Sequence, residues 1–152
     1  MDASAMKLVL QAETTERRIF DAIARACGSF IDSKELRAEY GHAVRQSGGL
    51  LDDLARTLDG LPDGKEVECK ASAMKAAESK LSPKALGVLP QSDRHLLVVA
   101  VTESASYIVS NDSGVVESRC RKLALVEHGV TICTPDEFWA SCEEATKRRE
   151  AE

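Results

Sequence analysis

Apolar positions along the chain follow two spacings, one typical of helices and one typical of strands. Spacings of three and four residues predict helices over 5–12, 15–26, 50–59, 71–81 and 117–128, and further helices that begin near Ser33, Ser92 and Pro135. Short apolar runs predict strands over 29–32, 67–69, 107–110 and 130–133. Because strands alternate with helices, we expect an α/β fold with a mostly parallel sheet covered on both faces.

Local signals fix the ends of the later elements most clearly. Thr134 precedes Pro135 and Glu137, an arrangement typical of a helix start because the hydroxyl and the glutamate satisfy free backbone N–H groups. Gly129 follows the predicted helix 117–128, where a left-handed residue usually ends a helix. Residues 60–92 give the least clear pattern.

Chain length and charge limit the possible architectures and partners. A chain of 152 residues is most simply one domain, which we place at residues 1–145, followed by a charged tail at 146–152. The net charge of −5 excludes a generally basic surface that coats nucleic acid. The segment 69–92 is locally basic, and its lysines either contact phosphates or form a solvated helix face.

Cysteine usage and hydropathy indicate a reducing compartment. The longest apolar run, 96–101, is too short to cross a membrane, and no secretory signal opens the chain. We therefore expect a cytoplasmic protein with no membrane partner. The five cysteines are scattered without a CxxC pair, which favours thiols buried in the core over a zinc site; they are Cys27, Cys69, Cys120, Cys133 and Cys142.

Four acidic residues lie at predicted strand ends or on the helix turns beside them. They are Asp2, Glu39, Asp93 and Asp112. Sites in parallel sheets lie beyond the carboxyl ends of the strands, so these carboxylates are expected to converge. Such a cluster repels itself unless cations neutralise it, and oxygen ligands suit Mg²⁺ or Mn²⁺. Each acid also has a simpler interpretation: a terminal residue, a solvated helix position, a helix cap and a turn residue, respectively.

Five short segments resemble, in order, the motifs of the PIN domain family. They are the opening Asp2-Ala3-Ser4, the helix 33–40, the helix 93–100, the strand end Ile108-Val109-Ser110-Asn111-Asp112, and the closing segment 129–138. No single motif is specific, but together they span nearly the whole chain. The resemblance implies a three-layer α/β/α fold with a mostly parallel central sheet.

The same resemblance implies a function and roles for individual residues. It implies a metal-dependent endoribonuclease that hydrolyses RNA phosphodiesters with Mg²⁺ or Mn²⁺, often the toxin of a toxin–antitoxin pair, with an antitoxin partner and a homodimer. The implied metal-binding and catalytic residues are Asp2, Glu39, Asp93 and Asp112. Ser4 would orient Asp2, while Ser110 and Asn111 would hold the turn that presents Asp112. Lys80, Lys84 and Arg94 would bind backbone phosphates.

Three departures from the family pattern leave alternatives open: a missing strand, Gly114 and Val115 where some members have a further acid, and a stretch at 60–92 with no clear counterpart. The strand that the family places before its first aspartate is missing or lies upstream of Met1. Met6–Gln11 also resembles an opening strand, but Asp2 leaves more chain before Ser33 for the two helical stretches expected there. The alternative functions are a catalytically inactive PIN-fold module that binds protein or RNA, and a metal-dependent DNA nuclease or phosphatase.

Overall fold

Helices and short strands alternate along the part of the chain that a computed structural model describes, which is residues 1–11, 29–45 and 66–151. Its strands are β1 (Phe30–Ser33), β2 (Glu66–Cys69), β3 (Tyr107–Val109) and β4 (Thr131–Cys133). Its helices are α1 (Ala3–Gln11), α2 (Lys34–Arg45), α3 (Ala71–Glu78), α4 (Pro83–Val88), α5 (Arg94–Thr102), α6 (Ser118–His128) and α7 (Pro135–Glu150), with a 3₁₀ turn at Gln91–Asp93. The helices predicted at 15–26 and 50–59, and Cys27, lie outside the described residues.

The strands pair in parallel, which confirms the expected mixed α/β class. Phe30 of β1 lies opposite Glu66 of β2, and Tyr107 of β3 lies opposite Thr131 of β4. Within the described residues these strands form two separate two-stranded sheets rather than the one central sheet that we expected. The difference arises between β1 and β3, where no described strand joins the two pairs.

A cavity of about 490 Å³ lies between the two strand pairs. Phe30 and Ile31 of β1 and Tyr107 and Val109 of β3 contribute to its lining, together with Met1. Bridging the two pairs into one sheet would require backbone hydrogen bonds across this space. The two pairs therefore remain separate sheets within the described part of the chain.

The start of the chain makes one backbone bond to β3. The carbonyl of Ser106 and the N–H of Ser110 bond to β4, so the alternate residue Val109 directs its backbone groups to the opposite side. There the N–H of Asp2 donates to the Val109 carbonyl at 2.8 Å. This bond fixes Asp2 beside the carboxyl end of β3.

Helix α5 forms the centre of the core. Its five consecutive residues from Leu96 to Ala100 are all buried, as expected for a helix that is apolar on all sides. The helix packs against both β1 and β3. It thus supports both strand pairs from one side.

The predicted caps and ends are largely confirmed, while one alternative is wrong. Thr134 and Glu137 form a reciprocal capping box at the start of α7, and Gly129 takes the left-handed conformation with φ of 69°. Residues Met6–Gln11 lie in α1, so they are not an opening strand. Helix α7 continues through Glu150 and includes most of the predicted charged tail.

The described cysteines are buried thiols. Cys69, Cys120, Cys133 and Cys142 are all free and buried. Burial raises the pKa of Cys69 to about 11 and that of Cys133 to about 12, so neither is a thiolate at neutral pH. This agrees with the expectation of core thiols.

The described helices include none that combines the length and the apolar character needed to cross a lipid bilayer.

Candidate functional site

Asp2 is the most firmly held of the predicted acids. It is 4% exposed, and its Oδ1 accepts hydrogen bonds from the Ser4 hydroxyl at 2.9 Å and from the Ala5 N–H at 2.7 Å. Its Oδ2 accepts a hydrogen bond from the Ser110 hydroxyl. The carboxylate therefore caps the start of α1 and is also tied to the end of β3. The Ser4 hydroxyl thus contacts the carboxylate that the family resemblance implies it orients.

The turn after β3 presents Asp112 beside this network. The Ser110 hydroxyl, which donates to Asp2, also accepts from the Asp112 N–H at 3.0 Å. The Asn111 N–H donates to the Ser4 hydroxyl at 3.2 Å. The predicted supporting residues Ser4, Ser110 and Asn111 thus connect Asp2 and Asp112 through hydrogen bonds.

Gly114 fixes the direction of the Asp112 side chain. Its N–H donates to Asp112 Oδ1 at 2.7 Å, which folds the carboxylate back over the turn. A Cβ at position 114 would lie 3.0 Å from the Pro90 ring and 3.1 Å from Asp112 Oδ1. Close packing therefore disfavours a larger residue at position 114, and the bond to Oδ1 leaves Oδ2 of Asp112 as the oxygen outside the turn.

Glu39 shares an electrostatic environment with Asp2 and Asp93. Burial raises the pKa of Glu39, the nearby His95 side chain opposes that rise, and repulsion from Asp93 and Asp2 adds to it. Its Oε1 lies 3.5 Å from His95 Nε2, although 41% of the side chain remains exposed. The structure therefore places Glu39 within electrostatic range of both Asp2 and Asp93.

Asp93 occupies the N-cap position of α5, as the simpler sequence interpretation expects, but its side chain makes no capping hydrogen bond. It is also the last residue of the 3₁₀ turn that precedes the helix. Its Oδ2 accepts from the Ser92 hydroxyl at 2.7 Å. The side chain thus does not act as a helix cap.

His95 is a polar neighbour of Glu39 that the sequence does not single out. Its Nδ1 lies 2.8 Å from the Ser92 carbonyl, so that nitrogen carries the proton. Its Nε2 is buried and makes no hydrogen bond within the described part of the chain. Only the packing of α5 near α2 brings it to Glu39, which explains why no local signal identifies it.

Asp32 and Tyr40 are buried polar residues near the start of the chain. Asp32 is fully buried at the end of β1, and burial raises its pKa even though Arg37 pairs with it. The Tyr40 hydroxyl donates to the Met1 carbonyl. Burial raises the pKa of Tyr40, and the negative charges of Asp32, Asp2 and Glu39 add to that rise. The phenol therefore lies within electrostatic range of three carboxylates.

The predicted phosphate-binding residues occupy different surfaces. Lys84 lines a groove between α4 and α6, whereas Arg94 lines a second pocket beside α3. Lys80 is exposed at the turn between α3 and α4. The structure does not bring these three cations into one cluster.

The donor chemistry of the acids fits a hard divalent cation. Carboxylate oxygens are the usual ligands of Mg²⁺ and Mn²⁺, and the mutual repulsion at Glu39 is the kind that a cation relieves. No group of three or more His, Cys, Asp or Glu side chains is already close enough for coordination within residues 1–11, 29–45 and 66–151. The four acids thus have the chemistry of metal ligands, but within the described residues they are not arranged for coordination.

Comparisons with protein-family models, with curated proteins and with solved structures found no match to this chain.

Proposed function

We propose that the protein is a metal-dependent endoribonuclease of the PIN type that hydrolyses RNA phosphodiesters at the carboxyl end of β3. The single observation that carries the proposal is the link between Asp2 and Asp112 through Ser110, with Glu39 and Asp93 in electrostatic range. Asp2 and Asp112 lie at the carboxyl end of β3, which is where sites in parallel sheets are found. The motif resemblance extends the proposal to a three-layer fold, an antitoxin partner and a homodimer.

The proposed roles follow from the contacts. Asp2, Glu39, Asp93 and Asp112 would hold Mg²⁺ or Mn²⁺. Such an ion supplies an activated water and stabilises charge on the phosphate when bound. Ser4 and Ser110 fix the Asp2 carboxylate, and the Gly114 N–H fixes that of Asp112. Fixed carboxylates reduce the reorganisation needed during the reaction.

Cleavage of a labelled single-stranded RNA tests the proposal. We expect Mn²⁺-dependent cleavage that EDTA abolishes, and a loss of at least about 100-fold with Asp112→Asn, since removing a supporting partner alone costs up to that much. Glu143→Gln, which changes an exposed acid on α7, is the matched control and retains activity. Cleavage that withstands both EDTA and Asp112→Asn contradicts the metal mechanism.

A second candidate is a PIN-fold module that binds RNA or protein without catalysis. Two observations favour it. Both Asp2 oxygens are engaged in hydrogen bonds, and the described residues contain no group of three His, Cys, Asp or Glu side chains that could hold a metal ion. A substrate panel of RNA, single-stranded DNA, branched DNA and phosphomonoesters separates the candidates. RNA binding without cleavage of any substrate supports the module, whereas preference for DNA or a phosphomonoester indicates a different hydrolase.

A further inference from the structure

A basic groove runs between α4 and α6. Its volume is about 960 Å³, with Lys84 on one wall and Arg119 and Lys122 on the other. All three side chains are exposed. Arg119 and Lys122 are three residues apart and share a helix face. The groove therefore concentrates positive charge on a protein whose net charge is −5.

The acid at this groove is engaged elsewhere. Glu117 Oε2 accepts hydrogen bonds from the N–H groups of Arg119 at 3.0 Å and Cys120 at 3.3 Å. The carboxylate thus caps α6, where it offsets the partial positive charge of the helix start. None of the hydrogen bonds described for this carboxylate joins it to the side chain of Lys84, Arg119 or Lys122.

The groove is joined to the turn that carries Asp112. The Cys120 thiol contacts the carbonyl of Val88, which lines the groove, at 3.1 Å, and that of Gly114 at 3.4 Å. Gly114 in turn donates to Asp112 at 2.7 Å. The groove therefore lies next to the turn that carries Asp112.

We propose that this groove binds the phosphodiester backbone of a single-stranded nucleic acid and leads it to the Asp112 turn. Arginine pairs with phosphate through two parallel N–H groups, and lysine supplies a point charge. Aromatic residues make up only 4% of the chain, so backbone contacts rather than base stacking provide the affinity. Helices wall the groove on two sides, which suits one strand rather than a duplex. The destination of the strand rests on the proposed function, whereas its binding needs no metal.

Gly87 provides a way to test the groove without disturbing the fold. It lines the groove, it is exposed, and a Cβ built there meets no atom within 4 Å. Gly87→Glu and Gly87→Lys therefore place opposite charges at the same point. A unit charge at about 4 Å in water changes the binding energy by about 1 kcal/mol, which corresponds to about fivefold in affinity.

The experiment measures fluorescence anisotropy of a labelled oligouridylate in EDTA at low salt. We expect about fivefold weaker binding for Gly87→Glu and about fivefold tighter binding for Gly87→Lys. Lys122→Gln should reduce the slope of log K against log salt by about 0.7, the value for one phosphate contact on a single strand. Arg149→Glu, at the exposed end of α7, is the control and leaves binding unchanged.

Three results would overturn this proposal. These are equal affinities for both Gly87 variants and the original chain, tighter binding of duplex than of single strand, and equal competition by polyglutamate. The assay also separates this proposal from the nuclease proposal because EDTA removes any metal. Binding that depends on the charge at position 87, in a protein that cleaves nothing, supports the groove proposal and contradicts the nuclease proposal. Cleavage of RNA together with binding that does not depend on this charge supports the nuclease proposal and contradicts the groove proposal.

Discussion

The hydroxyl of Ser110 donates a hydrogen bond to the carboxylate of Asp2, which joins the end of β3 to the start of α1 across 108 positions of sequence. The same oxygen accepts from the N–H of Asp112. Both Ser110 and Asp2 are buried. One side chain thus holds two proposed ligands in place.

Removing this hydroxyl should destabilise the protein. Ser110→Ala leaves a buried carboxylate oxygen and a backbone N–H without their partner, and the expected cost is about 1–3 kcal/mol in the free energy of unfolding. Urea denaturation measures it. Ser79→Ala, which removes an exposed hydroxyl bonded to the Ala76 carbonyl, is the control and should change little. Equal changes in the free energy of unfolding for the two substitutions would show that the buried Ser110 bonds stabilise the protein no more than an exposed hydroxyl does.

Adding one methyl group at Gly114 should also destabilise the protein. The new Cβ would lie within 3.1 Å of both the Pro90 ring and Asp112 Oδ1, and overpacking of this kind costs about 1–3 kcal/mol. Gly41→Ala is the matched control, since a Cβ there meets nothing within 4 Å. It should instead stabilise α2 by about 0.5–1 kcal/mol. Stabilisation by Gly114→Ala would contradict the described turn.

Glu39 should make stability depend on pH. The pKa of Glu39 is raised in the folded state, so this carboxyl ionises more easily in the unfolded chain. The contribution of Glu39 to the free energy of unfolding is therefore fully present below its unfolded pKa. That contribution is lost as the pH rises through the pKa of the folded state. Glu39→Gln should therefore raise the free energy of unfolding at pH 7 in EDTA. The gain should vanish below pH of about 4.

Urea midpoints between pH 3 and pH 8 measure this difference. Glu143→Gln, on the exposed surface of α7, controls for the loss of one negative charge. A Glu39→Gln variant that is less stable than the original chain at neutral pH would show that the pairing of Glu39 with His95 outweighs burial and repulsion.

The described thiols should resist modification in the folded protein. Cys69, Cys120, Cys133 and Cys142 are buried, and burial raises the pKa of each. In a Cys27→Ser background, a thiol reagent at pH 7.5 should label none of them natively and all four in urea. Native labelling of any thiol at the rate of an unfolded chain would contradict its burial.

Local signals in the sequence were sufficient to predict the ends of several helices. The capping box of Thr134 and Glu137 and the left-handed Gly129 depend only on neighbouring residues, so the pattern predicts them directly. The separation of β1 from β3 could not be predicted, because strand pairing depends on contacts between distant segments. Helix α4 was missed because a six-residue helix shows too little periodicity.

Some contacts of the candidate site could likewise be predicted from the sequence, whereas others could not. The connection of Asp2 with Asp112 follows from their places at the end of β3, and sequence motifs indicate it. The burial of Asp32 and the contact of His95 with Glu39 depend on how α2 lies against its neighbours. No spacing along the chain encodes those contacts, so only the folded structure reveals them.

Binding of Mn²⁺ to the folded protein tests the central claim most directly. An ion that binds only the folded state adds about 2.7 kcal/mol to the free energy of unfolding at a concentration 100 times its dissociation constant. We predict that Mn²⁺ raises the urea midpoint of the original chain and not that of an Asp93→Asn, Asp112→Asn double variant. A midpoint that millimolar Mn²⁺ leaves unchanged, or raises equally in both proteins, would contradict a shared cation site.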